Sequence, residues 1–388
     1  MRLNVGVVFG GRSVEHEVSI ISALQMIENM NCLKYNPIPI YLSKANEFLY
    51  HSDMKRIDFF KDLNNVVSIS QRIIFIKNGE KNKLFVRRKN RLKQLTDIDL
   101  IFLVVHGSGC EDGTLSAYFT LLNIPFVGSS ILSASLFQNK WKSKALFAYH
   151  DVPIVPYIGF YDEDYYLKQS DIISACEKHG YPLIVKPASL GSSIGICKCD
   201  NQEQLHKAIV TAIEYDTEII VEKYVENLIE LNCSVLGDYY HYETSAIERV
   251  FQIDEILSYQ DKYLRGAKNT KGIENTSREL PANISEDLKK EIESLSLRII
   301  KIVGGSGVIR IDYLYDSVLQ KLYLNEVNSI PGSLAFYLWT PKGKEYRKLI
   351  DDLINIALKR YSISNAKIDT YNNNLLDLNN LSVKGKLS

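Results

Sequence analysis

Two neighbouring segments carry oxygen-bearing side chains in a pattern that suits cation binding. Both "GVIRIDYLYD" and "LYLNEVNSIPG" are rich in the apolar and β-branched residues typical of strands. Residues two apart in a strand point to the same side, so Arg310 and Asp312 share one face of the first segment. By the same rule, Glu326 and Asn328 point together from the end of the second segment. Because Mg²⁺ prefers oxygen ligands, Asp312, Glu326 and Asn328 predict a cation site for phosphoryl transfer; a chance row of polar residues at a sheet edge is the alternative.

A Gly/Ser segment, "SLGSSIG" (189–195), could cradle phosphate groups. Glycines and small hydroxyl residues let backbone N–H groups approach phosphate oxygens closely. Lys186, just before this segment, could meet the same negative charge. The alternative is a flexible hairpin turn with no ligand.

A third segment, "VFGGRSVEHE", runs from a strand through two glycines into a helix. Glu15 and Glu17 lie in the first turn of that helix. Acidic side chains there complement the helix dipole, so taken singly each glutamate predicts only a stable helix start.

Strands alternate with helices over the first 128 residues. The runs "LNVGVVFGG", "NPIPIYLS" and "IDLIFLVVHG" have the continuous apolar character of buried parallel strands. This alternation predicts an α/β fold with a doubly wound parallel sheet in an N-terminal domain at 1–128. Residues 55–95 fit this pattern poorly and are predicted to form a strand-rich insertion.

The middle of the chain, 129–226, predicts a second, mixed unit. The segment "LSASLFQNKWKSKALFAYH" is predicted to be one helix with Lys140 and Lys144 on the same face. The segment "YPLIVKPASLGSSIGICKC" predicts two strands joined by the Gly/Ser loop. A helix and a further strand, "TEIIVEKYV", follow.

The last part of the fold is predicted at 227–362. Alternation in "NCSVLGDYYHYETSAIERV" indicates antiparallel strands, and a long loop is expected at 257–281. A helix is expected at 285–303, with Ser285 as its N-cap. The polar, Asn-rich end, 363–388, is predicted to be a tail that is partly disordered.

The composition excludes several classes of protein. The 388 residues carry 46 basic and 46 acidic side chains, so the formal net charge is zero. Nucleic-acid-binding domains are more often strongly basic, so nucleic acid is not expected as a partner. No apolar run approaches the roughly 20 residues that span a bilayer, so no membrane partner is expected. The six cysteines form neither a C-x-x-C pair nor a zinc pattern, which indicates reduced thiols and a cytoplasmic location.

The motifs occur together in an order that resembles the D-alanine–D-alanine ligases of the ATP-grasp superfamily. The matching segments include "GGRSVEHEVSIISA", "HGSGCEDG", "LLNIPFVGSS", "IVKPASLGSSIGI", "VEKYVE", "LSYQDKY", "RIDY" and "NEVNSIPG". The resemblance covers about residues 3–350. It implies that the N-terminal domain is followed by a two-part ATP-grasp fold, with subdomains at 129–226 and 227–362.

The resemblance implies a reaction in which ATP phosphorylates the carboxylate of one D-alanine and the amine of a second D-alanine attacks the acyl phosphate. Glu15 would hold the ammonium group of the first D-alanine. Ser192 and Tyr263 would form a hydrogen-bonded trio with Glu15 and tie the first domain to a closing flap. Arg310 and the Gly332 N–H would stabilise the oxyanion of the tetrahedral intermediate.

The same resemblance implies how ATP and its metal ions are bound. Two Mg²⁺ ions, which Mn²⁺ could replace, would be held by the three strand-end residues named above. The remaining ATP contacts it implies are Lys140, Lys186 and Lys262 on the phosphates, Glu222, Lys223 and Val225 around the adenine, and Glu230 on the ribose. The family is typically dimeric, so a homodimer is expected. The product would serve peptidoglycan synthesis.

The chain departs from the usual family pattern after the second metal strand. Where the family often has Pro-Gly-[Met/Phe]-Thr-x-x-Ser, this sequence has "PGSLAFYLW", with Ser333, Leu334 and Tyr337 at those positions. Cys110 also replaces a family glycine in "HGSGCEDG". The first departure motivates one alternative, a ligase joining D-alanine to a different second substrate such as D-serine or making a specialised dipeptide. A catalytically silent nucleotide-binding or regulatory protein is an alternative of another class. Ligases of this kind that make D-alanyl-D-lactate usually carry histidine where this sequence has Tyr263, so the resemblance favours an amine as the nucleophile.

Overall fold

The structure is a computed structural model that describes residues 2–78, 81–89, 91–192, 194–251 and 278–369. Two predicted site residues, Lys262 and Tyr263, lie outside these ranges. Most of the predicted 257–281 loop and most of the predicted tail also lie outside them.

The N-terminal part is built on an eight-stranded sheet with the order β6-β5-β4-β3-β2-β1-β7-β8. Four of its strands, β1, β2, β7 and β8, pair in parallel, as the apolar runs predict. The other four extend the sheet in antiparallel fashion, and β4 to β6 confirm the predicted strand-rich insertion. The strands are β1 (Leu3–Gly10), β2 (Tyr35–Leu42), β3 (Phe48–Tyr50), β4 (Gln71–Asn78), β5 (Lys81–Arg88), β6 (Arg91–Ile98), β7 (Leu100–Leu103) and β8 (Phe126–Val127).

Two antiparallel sheets follow. The first has the order β11-β10-β12-β9 and contains the predicted pair of strands around the Gly/Ser loop. The second has the order β15-β14-β13-β16-β17 and contains the predicted metal strands as neighbours. Their strands are β9 (Tyr157–Tyr161), β10 (Leu183–Pro187), β11 (Cys197–Cys199), β12 (Glu218–Lys223), β13 (Leu228–Asp238), β14 (His241–Val250), β15 (Arg278–Glu279), β16 (Gly307–Asp316) and β17 (Lys321–Asn328).

Helices cover these sheets and connect them. They are α1 (His16–Asn29), α2 (Leu63–Ile69), α3 (Thr114–Leu121), α4 (Ile131–Gln138), α5 (Lys140–Tyr149), α6 (Asp162–Leu167), α7 (Gln169–Glu177), α8 (Gln202–Ile213), α9 (Glu286–Val303) and α10 (Tyr346–Asn365), with short 3₁₀ helices at Ile57–Phe60, Gly332–Leu338 and Thr340–Lys342. Within the described ranges, no helix combines the length and the apolar character needed to cross a membrane.

Three predictions about element boundaries were wrong. The predicted single helix before residue 150 is two helices, because Asn139 adopts an extended backbone and its side chain accepts a hydrogen bond from the Lys142 N–H as the N-cap of α5. Residues 363–365, assigned to the tail, continue α10. Residues 278–279, assigned to the loop, form β15 against the end of β14.

Two of the hydrophobic cores join different parts of the chain. Trp339, Leu349 and Leu353 from the C-terminal part lie in the same buried cluster as Val5 and Phe102 of the first sheet. The inner face of α9 packs on the last sheet through Ile292 and its neighbours, and Ser285 caps that helix as predicted, since its side chain accepts from the Leu288 N–H. The C-terminal helix α10 and the segment before it therefore join the first sheet and the last sheet in one buried cluster.

Candidate active site

The two predicted metal strands are adjacent, and their cross-strand register brings the predicted residues together. Arg310 lies opposite Asn328, and Asp312 lies opposite Glu326. The Arg310 guanidinium donates two hydrogen bonds to the Asp312 carboxylate, at 2.7 Å from Nε and 2.8 Å from a terminal nitrogen. Asn328 Nδ2 donates to the same carboxylate at 3.1 Å. The alternation of buried and half-buried residues along β16 confirms that Arg310 and Asp312 share a face.

This cluster has the chemistry of a magnesium site that is completed by substrate. It offers two carboxylates and one amide oxygen, all hard donors. No group of three or more His, Cys, Asp or Glu side chains suited to a metal occurs in the described part of the chain. A cation held here would therefore need further oxygen ligands, and phosphate groups are the usual source.

The acidic pair extends into a polar row that crosses four strands. Glu248 on β14 lies opposite Asn232 on β13, Asn232 lies opposite Asp312 on β16, and Asp312 lies opposite Glu326 on β17. Asn232 Nδ2 donates to Glu248 Oε1 at 2.9 Å. Asn232 and Glu248 were not predicted, and the sequence offers no clear signal for them, because β13 and β14 carry other polar residues such as Glu230 and Glu243.

Three charged side chains form a buried cluster beside this row. The Glu222 carboxylate on β12 lies 2.8 Å from Lys144 Nζ and 2.7 Å from Lys186 Nζ. All three side chains are at least nine-tenths buried. Burial alone would raise the pKa of the Glu222 carboxyl, but the charges of Lys144 and Lys186 outweigh it and hold the pKa at about 2. Burial in turn lowers the pKa of the Lys144 ammonium group, and Glu222 opposes that effect.

This lysine cluster carries an excess positive charge next to β17. Lys186 Nζ also donates to Asn325 Oδ1 on β17 at 3.1 Å. Lys140 Nζ, at the start of α5, donates to the Leu190 carbonyl at 2.8 Å and lies 3.2 Å from Glu326 Oε2. Lys144 was predicted to share a helix face with Lys140, but its contact with Glu222 was not foreseen. The arrangement suits a polyanion bound against β16 and β17.

The Gly/Ser loop reaches across to the first helix of the N-terminal domain. Ser192 has a left-handed backbone (φ 59°), and its hydroxyl donates to Glu15 Oε1. A Cβ built on Gly191 or on Gly107 would lie only 3.2 Å from Glu15 Oε2, so both glycines allow the backbone to approach this carboxylate. A cavity of about 480 Å³ opens here, lined in part by Glu15, Gly107, Leu190 and Gly191. The structure thus brings together two of the three residues of the predicted trio.

A buried carboxyl group joins the N-terminal domain to the turn after β17. Glu111 accepts hydrogen bonds from the Gly107 N–H at 2.7 Å and from the Ile330 N–H at 3.1 Å. Burial raises the pKa of Glu111 to about 8, the charge of Glu15 adds to the increase, and the two N–H groups oppose it. His106 Nδ1 lies 2.8 Å from the Ile330 carbonyl and so fixes the same turn.

The turn after β17 has an unusual backbone. Ser333, Leu334 and Ala335 all have positive φ values, of 49°, 56° and 48°. The Ser333 N–H donates to Ser22 Oγ on α1 at 3.0 Å. No described atom lies within 4 Å of a Cβ built on Gly332, so that position faces open space. A ligand could therefore approach the backbone at Gly332.

The predicted adenine and ribose residues occupy β12, the following turn and β13. The side chain of Glu222 is directed to the two lysines, and Lys223 Nζ donates to the carbonyls of Gly180 and Tyr181 at 3.2 and 3.1 Å. Val225 is buried, and Glu230 lies on β13 opposite Leu314. Any contact of Glu222 and Lys223 with a base would therefore fall to their backbone groups.

Comparison with known proteins identifies the family. The model of the D-ala D-ala ligase N-terminus matches residues 4–129, and the model of the D-ala D-ala ligase C-terminus matches residues 146–355. A D-alanine–D-alanine ligase from Thermosipho melanesiensis is 35% identical over 97% of this chain and 99% of its own length. The crystal structure of the VanG D-Ala:D-Ser ligase from Enterococcus faecalis is 28% identical and covers 92% of this chain and 100% of that one, with a TM-score of 0.75. The D-alanine–D-alanine ligase from Bacillus anthracis complexed with ATP is 25% identical, covers 93% of this chain and 99% of that one, and has a TM-score of 0.66. Since both family models match and together span most of the sequence, this chain belongs to the D-alanine–D-alanine ligase family.

Proposed function

We propose that this protein is an ATP-dependent ligase that joins two D-alanine molecules through an acyl-phosphate intermediate. The observation that carries the proposal is the strand pair on which Asp312, Glu326 and Asn328 lie together beside the lysine cluster. A carboxylate is a poor electrophile until it is phosphorylated, and phosphoryl transfer mainly requires charge neutralisation and alignment. A stiff pair of strands suits that task better than a mobile loop does.

In the first step, the side chains bind and orient ATP and the donor D-alanine. Lys140, Lys186 and Lys262 would contact the phosphates. Asp312, Glu326 and Asn328 would hold two Mg²⁺ ions, or Mn²⁺ in their place, which would supply positive charge to neutralise the phosphates. The adenine would lie against the backbone of Glu222, Lys223 and Val225, with Glu230 on the ribose hydroxyls.

The donor D-alanine would be held by its ammonium group. Glu15 supplies the opposite charge, and the hydrogen bond from Ser192 keeps its carboxylate at the mouth of the cavity. Tyr263 would complete this trio. The carboxylate of the donor then faces the metal strands, where phosphorylation takes place.

In the second step, the amine of the acceptor attacks the carbonyl carbon of the acyl phosphate. Arg310 and the Gly332 N–H would stabilise the negative oxygen that develops at this carbon. The bidentate contact with Asp312 fixes the guanidinium of Arg310 at the sheet surface. The Gly332 N–H would be the second donor, and the open space beside Gly332 leaves room for a ligand there.

The acceptor is proposed to be D-alanine. Eight curated relatives that are 31% to 36% identical to this chain carry the name D-alanine–D-alanine ligase. The dipeptide would serve as a precursor of peptidoglycan in the cytoplasm. We also propose a homodimer, which sedimentation equilibrium would test through a mass of twice 44.3 kDa.

One experiment tests this function. Purified protein is incubated with ATP, Mg²⁺ and a panel of D- and L-amino acids, and the products are identified by mass spectrometry. The proposal expects ADP and D-Ala-D-Ala as the main products. A mixed dipeptide as the main product would contradict D-alanine as the acceptor, and the absence of ATP turnover with every amino acid would contradict the ligase function.

A further inference from the structure

A second charged cluster lies beside Arg310, and none of the roles above uses it. Its centre is Glu248, whose side chain is only 3% exposed. Glu248 Oε1 accepts hydrogen bonds from the Tyr337 hydroxyl at 3.0 Å and from Asn232 Nδ2 at 2.9 Å. Its other oxygen, Oε2, lies 3.6 Å from a guanidinium nitrogen of Arg278 and has no hydrogen-bond partner within the described ranges.

Arg278 is fixed from two sides. Its guanidinium lies 4.8 Å from the centre of the Tyr337 ring, which is a cation–π distance, and it faces Glu248 at the same time. Its side chain is nevertheless 45% exposed. A guanidinium has five N–H donors, so contact with one carboxylate oxygen leaves most of them available to a ligand. A buried carboxylate is costly unless it is paired, and here the hydrogen bonds from Tyr337 and Asn232 and the charge of Arg278 offset that cost.

This cluster lies at one end of the polar row that runs from Glu326 to Glu248. Lys140 contacts the Glu326 end of the row on β17, whereas Arg278 contacts the Glu248 end on β14. From Asp312 to Glu248 the row spans two strand spacings, roughly 10 Å. Tyr337 belongs to the same 3₁₀ turn as Gly332. Arg310 lies two residues from Asp312 on the same face of β16, so Arg310 and Arg278 lie on the same face of the sheet, toward different ends of the row.

We propose that Arg278 binds the carboxylate of the acceptor amino acid, and that Glu248 and Tyr337 position the Arg278 guanidinium for this contact. The inference rests on the proposed ligase function and adds to it the group that recognises the acceptor. The acceptor class is a small D-amino acid with a free carboxylate. Its amine then lies toward Arg310 and the acyl phosphate.

The chemical step balances with the groups already named. The amine nitrogen forms a bond to the carbonyl carbon, and the bond from that carbon to the phosphate oxygen breaks. Phosphate leaves with the electron pair of the broken bond. The protons that the acceptor ammonium loses pass to phosphate and solvent.

D-Alaninamide provides the test, because it has an amine but no carboxylate and can act only as an acceptor. The protein is incubated with ATP, Mg²⁺ and equal concentrations of D-alanine and D-alaninamide. Mass spectrometry gives the ratio of D-Ala-D-Ala to D-Ala-D-alaninamide. The amide has the less basic amine, which favours it as a nucleophile near neutral pH, so a preference for D-alanine must come from the protein.

We expect the unaltered protein to form D-Ala-D-Ala in excess and Arg278→Met to lower the product ratio at least tenfold. Arg278→Lys is expected to keep part of the preference. Arg249→Met is the matched control, because Arg249 also stacks on an aromatic ring, Phe251, at 4.8 Å. Arg249 follows Glu248 in β14, so its side chain points to the face of the sheet opposite Glu248. It should leave the ratio within twofold of the original.

Two results would overturn the inference: no preference for D-alanine in the unaltered protein, or a ratio within twofold of the original in Arg278→Met. If Arg278→Met forms no dipeptide, the ratio is measured in Glu248→Gln, where a severalfold decrease supports the inference and an unchanged ratio contradicts it. If the proposed ligase function is wrong, the unaltered protein forms neither dipeptide, and this result differs from the two that overturn the role of Arg278.

Discussion

The buried cluster of Lys144, Glu222 and Lys186 gives a prediction whose size follows from the structure. Lys144→Met reduces the net charge of the cluster from +1 to zero. A phosphate in contact with Lys186 would lie roughly 8 Å from Lys144 Nζ, because the path crosses two ion-pair contacts of 2.8 and 2.7 Å. One unit charge at that distance, at an effective dielectric constant of about 20, is worth about 2 kcal/mol. We therefore expect the affinity for ATP to fall roughly 30-fold.

The measurement is the Kd of ATP, by titration calorimetry with Mg²⁺ and without D-alanine. Lys142→Met is the matched control, since Lys142 lies on the same helix but is 40% exposed and pairs with Glu218; its Kd should stay within twofold. The double variant Lys144→Met/Glu222→Gln restores a net charge of +1, and its affinity should recover most of the loss.

The double variant separates charge from packing. If Lys144 only supports the fold, removing a second buried charged group cannot restore binding. An unchanged Kd in Lys144→Met, or an equal loss in the double variant, would refute the electrostatic role assigned to this cluster.

Two further predictions concern the metal strands and the buried carboxyl group. Glu326→Gln should lower ADP formation at least 100-fold, because a charged oxygen ligand is lost, while the midpoint of thermal unfolding changes little; retained activity would remove the metal assignment. The pKa of Glu111 is about 8 in the folded protein, whereas its ordinary value is 4.5. Between these pH values the folded state binds more protons than the unfolded state does. The free energy of unfolding therefore falls as the pH rises from 4.5 to 8. The unfolding free energy of the metal-free protein should therefore decrease more steeply with pH between 5 and 8 than that of Glu111→Gln, measured by urea denaturation; parallel curves would contradict the pKa assigned to Glu111.

The local features of the fold could be predicted because they depend on short-range patterns. Alternation with a period of two placed Arg310 and Asp312 on one face of β16, and the structure confirms it. The cap of α9 at Ser285 was readable for the same reason, since the side chain contacts a backbone N–H three residues away. The break at Asn139 was missed because the apolar pattern continues through it.

The contacts between distant segments could not be predicted from these patterns. Glu248, Asn232 and Asp312 form one row only because of the register of three strands, and strand order cannot be read from local alternation. Glu222 was assigned through the family resemblance to the adenine, whereas its carboxylate contacts two lysines from other elements. The left-handed turn at 333–335 was also hidden, because it contains no glycine.

The central claim is that the donor carboxylate is phosphorylated before the dipeptide bond forms. It is tested most directly with D-alanine labelled with ¹⁸O at both carboxylate oxygens, ATP and Mg²⁺, followed by mass analysis of the phosphate released. The proposed reaction transfers one labelled oxygen to each phosphate as D-Ala-D-Ala appears. Dipeptide formed together with unlabelled phosphate would contradict the acyl-phosphate route, and with it the role assigned to Asp312, Glu326 and Asn328.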